Sequence, residues 1–333
     1  MENKIWILAE VFEDKLSNVS FELLARAHNL KNKLQDSEIV SIVLYNDLSE
    51  DELAKLFHYG SDKIIFLKHN KLKNFIVDDY TRVLVNLINR EKPAILLGAA
   101  TTFGRTILPY VATKVYAGLT ADCTILDIEE ETGNLLQTRP AIGGNILATI
   151  KTPIARPQMA TIRPHSTKPL KPDTKKQGEL IIENVKDDFF KSSIEFIKFE
   201  KEEGDEKSIT DSRIVVAGGK GFAKAENFKY LHQLAKILDA GIGASREAVD
   251  RGWISYPHQV GLSGKTITPD LYIAIGISGA IQHLAGMQTS KHIIAINNDP
   301  DAQIFKLADL AIVGNLFDIL PELINKLSEL KGE

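Results

Sequence analysis

The first hundred residues alternate between short apolar runs and longer stretches in which apolar residues recur every three or four positions. The runs "IWILAEV" (5–11), "IVSIVLY" (39–45), "KIIFLK" (63–68) and "AILLGA" (94–99) predict strands. Between them, Leu23, Leu24, Ala27, Leu30 and Leu34 mark one face of a helix over 19–34, and two further helices are predicted over 49–58 and 74–90. Ser49, with Glu52 three residues on, has the form of a capping box. Strand–helix alternation of this length implies a parallel sheet covered by helices.

From about residue 121 the pattern shortens. "CTILDIE", "LLQTRPAI", "NILATI" and "QMATIRP" are brief, punctuated by Pro and Gly, and read as hairpins or sheet extensions, which "GELIIENV" and "SIEFIKFEK" continue. The segment "EKEEGDEKSITDS" (200–212) then has no large apolar residue except Ile209 and is dominated by charge. It reads as a solvated linker, suited to a hinge, and divides the chain into domains over 1–205 and 206–333.

The second domain opens with "RIVVAGGKGF" (213–222), a strand running into glycines. A helix over 225–239 follows, with Phe228, Leu231, Leu234, Ala235 and Leu238 on one face. "AGIGASREAVDRGW" holds a short strand and a helix opened by Ser245. "LYIAIG" (271–276), "HIIAIN" (292–297) and "LAIVGN" (310–315) are near-continuous apolar strands, as in a parallel sheet buried on both faces, with helices over 278–287, about 301–307 and 317–330. The fold class is therefore α/β, two domains each built on a mostly parallel sheet flanked by helices, the second doubly wound.

Ligands of open parallel sheets sit at the carboxyl ends of the strands. In the second domain those ends read "AGGKGF", "GIGASR", "GISGAIQH", "NNDP" and "GNLF", each carrying Gly, Ser, Asn or a charge. Taken singly they have ordinary explanations. "GGKG" lacks the full G-x-G-x-x-G and is not followed by the Lys-Ser/Thr of a phosphate-binding loop, "GASR" suits a helix cap, "NNDP" suits a turn, and one histidine on a helix is usually structural. Together on one rim they suit a dinucleotide, since glycines let backbone N–H groups approach a pyrophosphate. In the first domain only "TTFGR" (101–105) could grip an anion, and it reads better as an ordinarily capped helix start.

Composition narrows the function classes. The 333 residues suffice for about two domains. Forty Lys and Arg against 44 Asp and Glu give a net charge of −4, which leaves no basic footprint for nucleic acid or an anionic membrane. A single cysteine, Cys123, excludes an internal disulfide and a cysteine-built metal centre. The apolar start is broken by Glu10 and is too short for a signal or a span, so a cytoplasmic protein is expected.

The run from "GASREAVDRGW" through "HQVGLSGKTITPDLYIAIGISGAIQHLAGM" and "INNDP" to "VGNLF" resembles the FAD-binding domain of the alpha subunit of electron transfer flavoproteins. "GLTADC", "TRPAIGGNILATI" and "RPQMATIRP" resemble the same subunit's N-terminal domain, so the resemblance spans essentially the whole chain. It implies FAD as cofactor. Ser245 and Arg246 would reach the flavin, and Gln259, Val260, Gly261, Leu262 and Ser263 would contact its ring system. Ser278, Gly279, Ala280, Ile281, Gln282 and His283 would line it. Lys220 would supply a basic contact, and Asn297, Asn315 and Leu316 would hold the adenosine side. Arg246, Ser263 and His283 would tune the potential, because reduced flavin gains negative charge that a cation or donor stabilises.

The resemblance further implies a heterodimer with a beta subunit that carries a second FAD or AMP, and a flavin dehydrogenase such as an acyl-CoA dehydrogenase as redox partner. Electron bifurcation is left open. Lys220 stands where the family pattern usually has arginine, Leu262 and Ser263 where it has "QT", and Asn315 where aspartate is common. A nicotinamide oxidoreductase using the same rim is the competing reading. Against it, no acidic residue lies at the usual ribose position about 20 residues past a full fingerprint.

Overall fold

The computed structural model describes residues 3–34, 36–141, 146–198, 208–210 and 212–331. The chain forms two compact units, Met1–Glu200 and Lys201–Glu333. Of the charged segment over 200–212, only 208–210 and 212 are among the described residues.

The first unit begins with β1 (Asn3–Leu8), a small ribbon of β2 (Val11–Phe12) and β3 (Lys15–Leu16), and helix α1 (Asn18–Lys31). It continues through β4 (Ser37–Tyr45), α2 (Glu50–His58), β5 (Lys63–Lys68), α3 (Val77–Glu91), β6 (Ile95–Ala99), α4 (Thr102–Val115) and β7 (Leu119–Cys123). An antiparallel arm of β8 (Ile125–Ile128), β9 (Leu135–Pro140) and β10 (Leu147–Ile150) precedes β11 (Gln158–Ile162) and β12 (Glu179–Asn184). The main sheet is wholly parallel, in the order β12-β5-β4-β1-β6-β11-β7. Alternation along β1 sends Ile5 and Ile7 to one layer, under α1 and α2, and Trp6 and Leu8 to the other, under α3 and α4.

Two expectations for this unit need correction. "QMATIRP" supplies no hairpin: β11 lies inside the sheet between β6 and β7, and all five of its residues are buried. Its two polar side chains are buried with partners, Gln158 Oε1 accepting from Leu135 N and Thr161 Oγ1 from Asp122 N, both at 2.8 Å, which lets the strand be covered on both faces. "SIEFIKFEK" forms no strand over its described part, 193–198. The N–H of Ser192 goes to the Asp79 carboxylate at 3.1 Å instead of to a ladder, and Ile194 and Ile197 stay exposed. The capping box at α2 is half made. Ser49 Oγ accepts from Glu52 N at 3.2 Å, but the Glu52 carboxylate turns away to Leu16 N and Lys55. "TTFGR" starts α4 with an ordinary cap, Thr101 Oγ1 accepting from Gly104 N. The same hydroxyl donates to Glu10 Oε1 at 2.6 Å, so the chain's own carboxylate lies at this anion-favouring helix end.

The second unit runs β13 (Ile214–Gly218), α5 (Lys229–Leu238), β14 (Gly241–Ala244), α6 (Arg246–Asp250), β15 (Leu271–Ile275), α7 (Ile281–Leu284), β16 (His292–Asn297), β17 (Leu310–Val313) and α8 (Leu316–Lys331). Its five strands are parallel, in the order β14-β13-β15-β16-β17. Val216, Ile273 and Ile275 pack under α5 and α8, while Val215, Ala217, Tyr272 and Ala274 face the opposite layer. Ile209 is buried in that second layer, so the chain has joined this unit by residue 208 or 209. The helix expected over 278–287 is only one turn long. Gly279 adopts φ +84°, and a Cβ there would lie 2.3 Å from Ile304 N, which ties the strand end to the next connection in place of a longer helix.

Candidate functional site

In the second unit the chain leaves β13 toward β14 on one side, and β15 with its successors lies on the other. The order of strands reverses between β13 and β15, and ligands of open α/β sheets bind in the crevice at such a point. The turns after these two strands touch back to back. Gly221 N donates to Gly276 O at 3.0 Å, a Cβ on Gly221 would lie 2.6 Å from Gly276 Cα, and Gly276 itself has φ +61°. Any side chain here would wedge the turns apart, so the two glycines hold the floor of the crevice open to backbone approach. Above it lies a cavity of about 680 Å³, within the range of small-molecule sites.

Five pieces of chain build the walls. The first turn contributes Lys220 and Gly221. The end of β14 contributes Ser245 and Arg246, with Glu247 and Asp250 from α6. Ser245 N is tied to Gly218 O at 3.0 Å, yet its hydroxyl is buried and has no partner. Arg246 is mostly exposed and its Nε donates to Asp250 at 3.2 Å, while Glu247 pairs with Arg251 at 2.7 Å. Both acidic side chains thus have a cation four residues away, and Arg251 holds the Glu247 carboxyl below its usual range.

The loop after α6 contributes Gln259, Val260, Gly261 and Ser263. Ser263 is gripped twice, its Oγ by Gln259 Nε2 at 3.0 Å and its carbonyl by the Tyr256 hydroxyl at 2.6 Å. An Oγ that accepts from Gln259 keeps its own hydrogen for donation. Leu262 lies outside the lining, 66% exposed, with its N–H on Gln282 O.

The stretch after β15 contributes Gly276, Ile277, Ser278, Ala280, Gln282 and His283. Gly279 shapes the backbone there without lining the cavity, and Ile281 projects outward, 75% exposed. Asn297 and Asn298 close the far side. Asn297 is buried, donating to Ile277 O at 2.8 Å and accepting from Asp299 N at 3.0 Å. Asn315 and Leu316 stand apart from the lining: Asn315 Oδ1 accepts from Phe317 N at the start of α8, and Leu316 is in the core.

His283 is 6% exposed. Its Nε2 lies 2.9 Å from the hydroxyl of Tyr272, and its Nδ1 is buried without a hydrogen-bond partner. Burial lowers its pKa to about 4, while a hydrogen bond toward the Val260 backbone, too poorly aligned to satisfy the ring, works in the opposite direction, so the ring is neutral near pH 7. The short α7 gives little helix dipole, so polar recognition here rests on individual groups and loop amides.

Sequence reasoning missed Gly221, Gly276, Ile277 and Asn298, all inside the motifs it singled out. It also missed Glu247 and Asp250, which the i,i+4 spacings Arg246–Asp250 and Glu247–Arg251 signal.

Two buried unpaired polar atoms, Ser245 Oγ and His283 Nδ1, belong to residues that line a cavity with a glycine floor. Buried polar groups are normally satisfied, so this arrangement fits a polar ligand that completes them. The fold and site define a nucleotide-binding α/β domain.

A family model described as the electron transfer flavoprotein domain matches residues 5–188, and one described as the electron transfer flavoprotein FAD-binding domain matches 208–288. The chain is 42% identical to Protein FixB of Clostridium saccharobutylicum, covering 98% of this chain and 96% of that one. It is 43% identical to the electron transfer flavoprotein subunit alpha of Thermoanaerobacterium thermosaccharolyticum, over 98% of both chains, and 36% identical to that of Bacillus subtilis, over 99% of both. The chain belongs to the electron transfer flavoprotein family, as an alpha-subunit type. No helix among the described residues is long and apolar enough to cross a membrane.

Proposed function

We propose that this chain is the FAD-holding subunit of a heterodimeric electron transfer flavoprotein, with the cofactor in the cavity between the ends of β13 and β15. The observation that carries this reading is the pair of unsatisfied buried groups, Ser245 Oγ and His283 Nδ1, on residues of a glycine-floored cavity of sufficient volume. Bound FAD supplies the redox chemistry. The chain's own residues bind and tune it. Arg246 is always charged and, once drawn from Asp250, can lie against a ring that becomes more negative. Ser263 offers a fixed O–H donor. His283 offers a neutral imidazole. Lys220 serves the phosphates as a point charge and Asn297 serves the adenosine side, while Asn315 and Leu316 lie outside the cavity lining.

The partners follow from the same reading: a beta subunit carrying FAD or AMP, and flavin dehydrogenases such as acyl-CoA dehydrogenases that give up or receive electrons. Counting flavins per purified heterodimer separates a two-flavin, bifurcating pair from a one-flavin carrier. The reading is tested by the visible spectrum. A yellow flavin spectrum is expected, and a colourless protein releasing a nicotinamide nucleotide overturns it. Arg246→Ala should keep FAD and lower its midpoint potential by tens of mV, roughly 30 mV for each ~1.4 kcal/mol of lost interaction in a two-electron couple. An unchanged potential removes Arg246 from the flavin's surroundings.

A further inference from the structure

Tyr272 sits in β15, the strand whose end carries the glycine turn, and is 0% exposed. Its ring belongs to the apolar layer formed with Val215, Ala217, Ala274 and Met287. Phenylalanine would fill that layer equally well, so packing does not account for the hydroxyl. The hydroxyl is buried and lies 2.9 Å from His283 Nε2.

The direction of this bond follows from what each group can give. A buried O–H with no acceptor costs about 1–3 kcal/mol. The acceptor within reach is Nε2, which can accept only when it carries no proton. Burial keeps the phenol protonated and disfavours the charged imidazole. A neutral imidazole with a bare Nε2 holds its single proton on Nδ1. Nδ1 is the buried ring atom without a well-formed hydrogen bond, the Val260 backbone offering only a poorly aligned one, and the ring lines the cavity. The reverse arrangement, with Nε2–H donating to the phenol, would strand the phenolic hydrogen and leave Nδ1 as an acceptor.

We propose that Tyr272 is a positioning residue for the cofactor site: its hydroxyl donates to His283 Nε2, fixes the Nδ1–H tautomer, and so presents an N–H donor to an acceptor atom of the bound group. The identity of that group as FAD rests on the function proposed above, where the carbonyls of the flavin's pyrimidine ring are the acceptors that such a donor suits. The tautomer itself does not depend on that reading. A donor held ready by a second buried residue needs no reorganisation when charge builds on the acceptor.

The test is nitrogen-15 NMR of the full chain carrying labelled histidine, with and without FAD, His283 being assigned by its loss in His283→Gln. The wild type should show a protonated Nδ1 and an unprotonated Nε2 at His283 in both samples. Tyr272→Phe should move His283 toward the Nε2–H form and weaken FAD binding about fivefold, the equivalent of one ordinary hydrogen bond. It should also lower the flavin potential more than it changes the oxidised absorption spectrum. A wild-type His283 protonated on Nε2 overturns the proposal even if Tyr272→Phe fails to fold. So does a folded Tyr272→Phe chain with unchanged tautomer and potential. If FAD does not bind at all, the function reading fails, while the ligand-free spectrum still decides the tautomer.

Discussion

His283 combines deep burial with an ordinary pKa of 6.5 lowered to about 4, and this makes it an acid-sensitive element of the second unit. In the unfolded chain the imidazole takes up a proton as pH falls through about 6.5, whereas in the folded chain it does so only near 4. The unfolded state therefore binds more protons across this window. Stability conferred by the neutral ring is fully present above 6.5 and falls as pH drops toward 4, by at most about 3 kcal/mol. His283→Gln removes the titration. Urea unfolding of the ligand-free wild type and variant should show the wild type losing its stability relative to the variant across that window. A constant difference between the two proteins would mean the ring is solvated in the folded chain.

At the scale of elements, the contact between the turns after β13 and β15 is the feature on which the cavity depends. Gly221→Ala places a methyl 2.6 Å from Gly276 Cα, so one turn must move. We expect a loss of about 1–3 kcal/mol, as for other overpacked positions, together with loss of FAD. Thermal unfolding and flavin content of the purified variant check this, and a folded variant with full flavin content would place the cofactor elsewhere. Much of this architecture could be read from the sequence, because buried parallel strands such as "KIIFLK" and "HIIAIN" are short apolar runs bounded by polar turns. What escaped were features set by long-range contacts. Nothing local to "QMATI" says that β11 inserts between β6 and β7, because that position is set by strands far away in sequence. The truncation of α7 depends on Ile304 meeting Gly279, a contact invisible to local periodicity. The site residues on motif loops were legible because glycine, serine and asparagine have few reasons to cluster at every strand end. Tyr272 was not, since its strand position reads as core.

At the scale of the molecule, each unit has its own apolar layers on both faces of its own sheet, and Ile209 belongs to the second. A fragment over 208–333 should therefore fold by itself, with a single cooperative transition by circular dichroism, whereas a gradual, non-cooperative melt would show that it depends on the first unit. The two units also differ at their switch points. In the first, Glu10 meets the start of α4, and in the second the corresponding crevice is lined by Ser245 and His283 with unsatisfied polar atoms. FAD is proposed to occupy the second crevice, and hydrogen exchange of the full chain with and without FAD tests that placement most directly. Protection should rise over 218–222, 244–246, 259–263 and 276–283 and stay unchanged over 99–105. Protection appearing over 99–105, or nowhere in the second unit, would contradict the account.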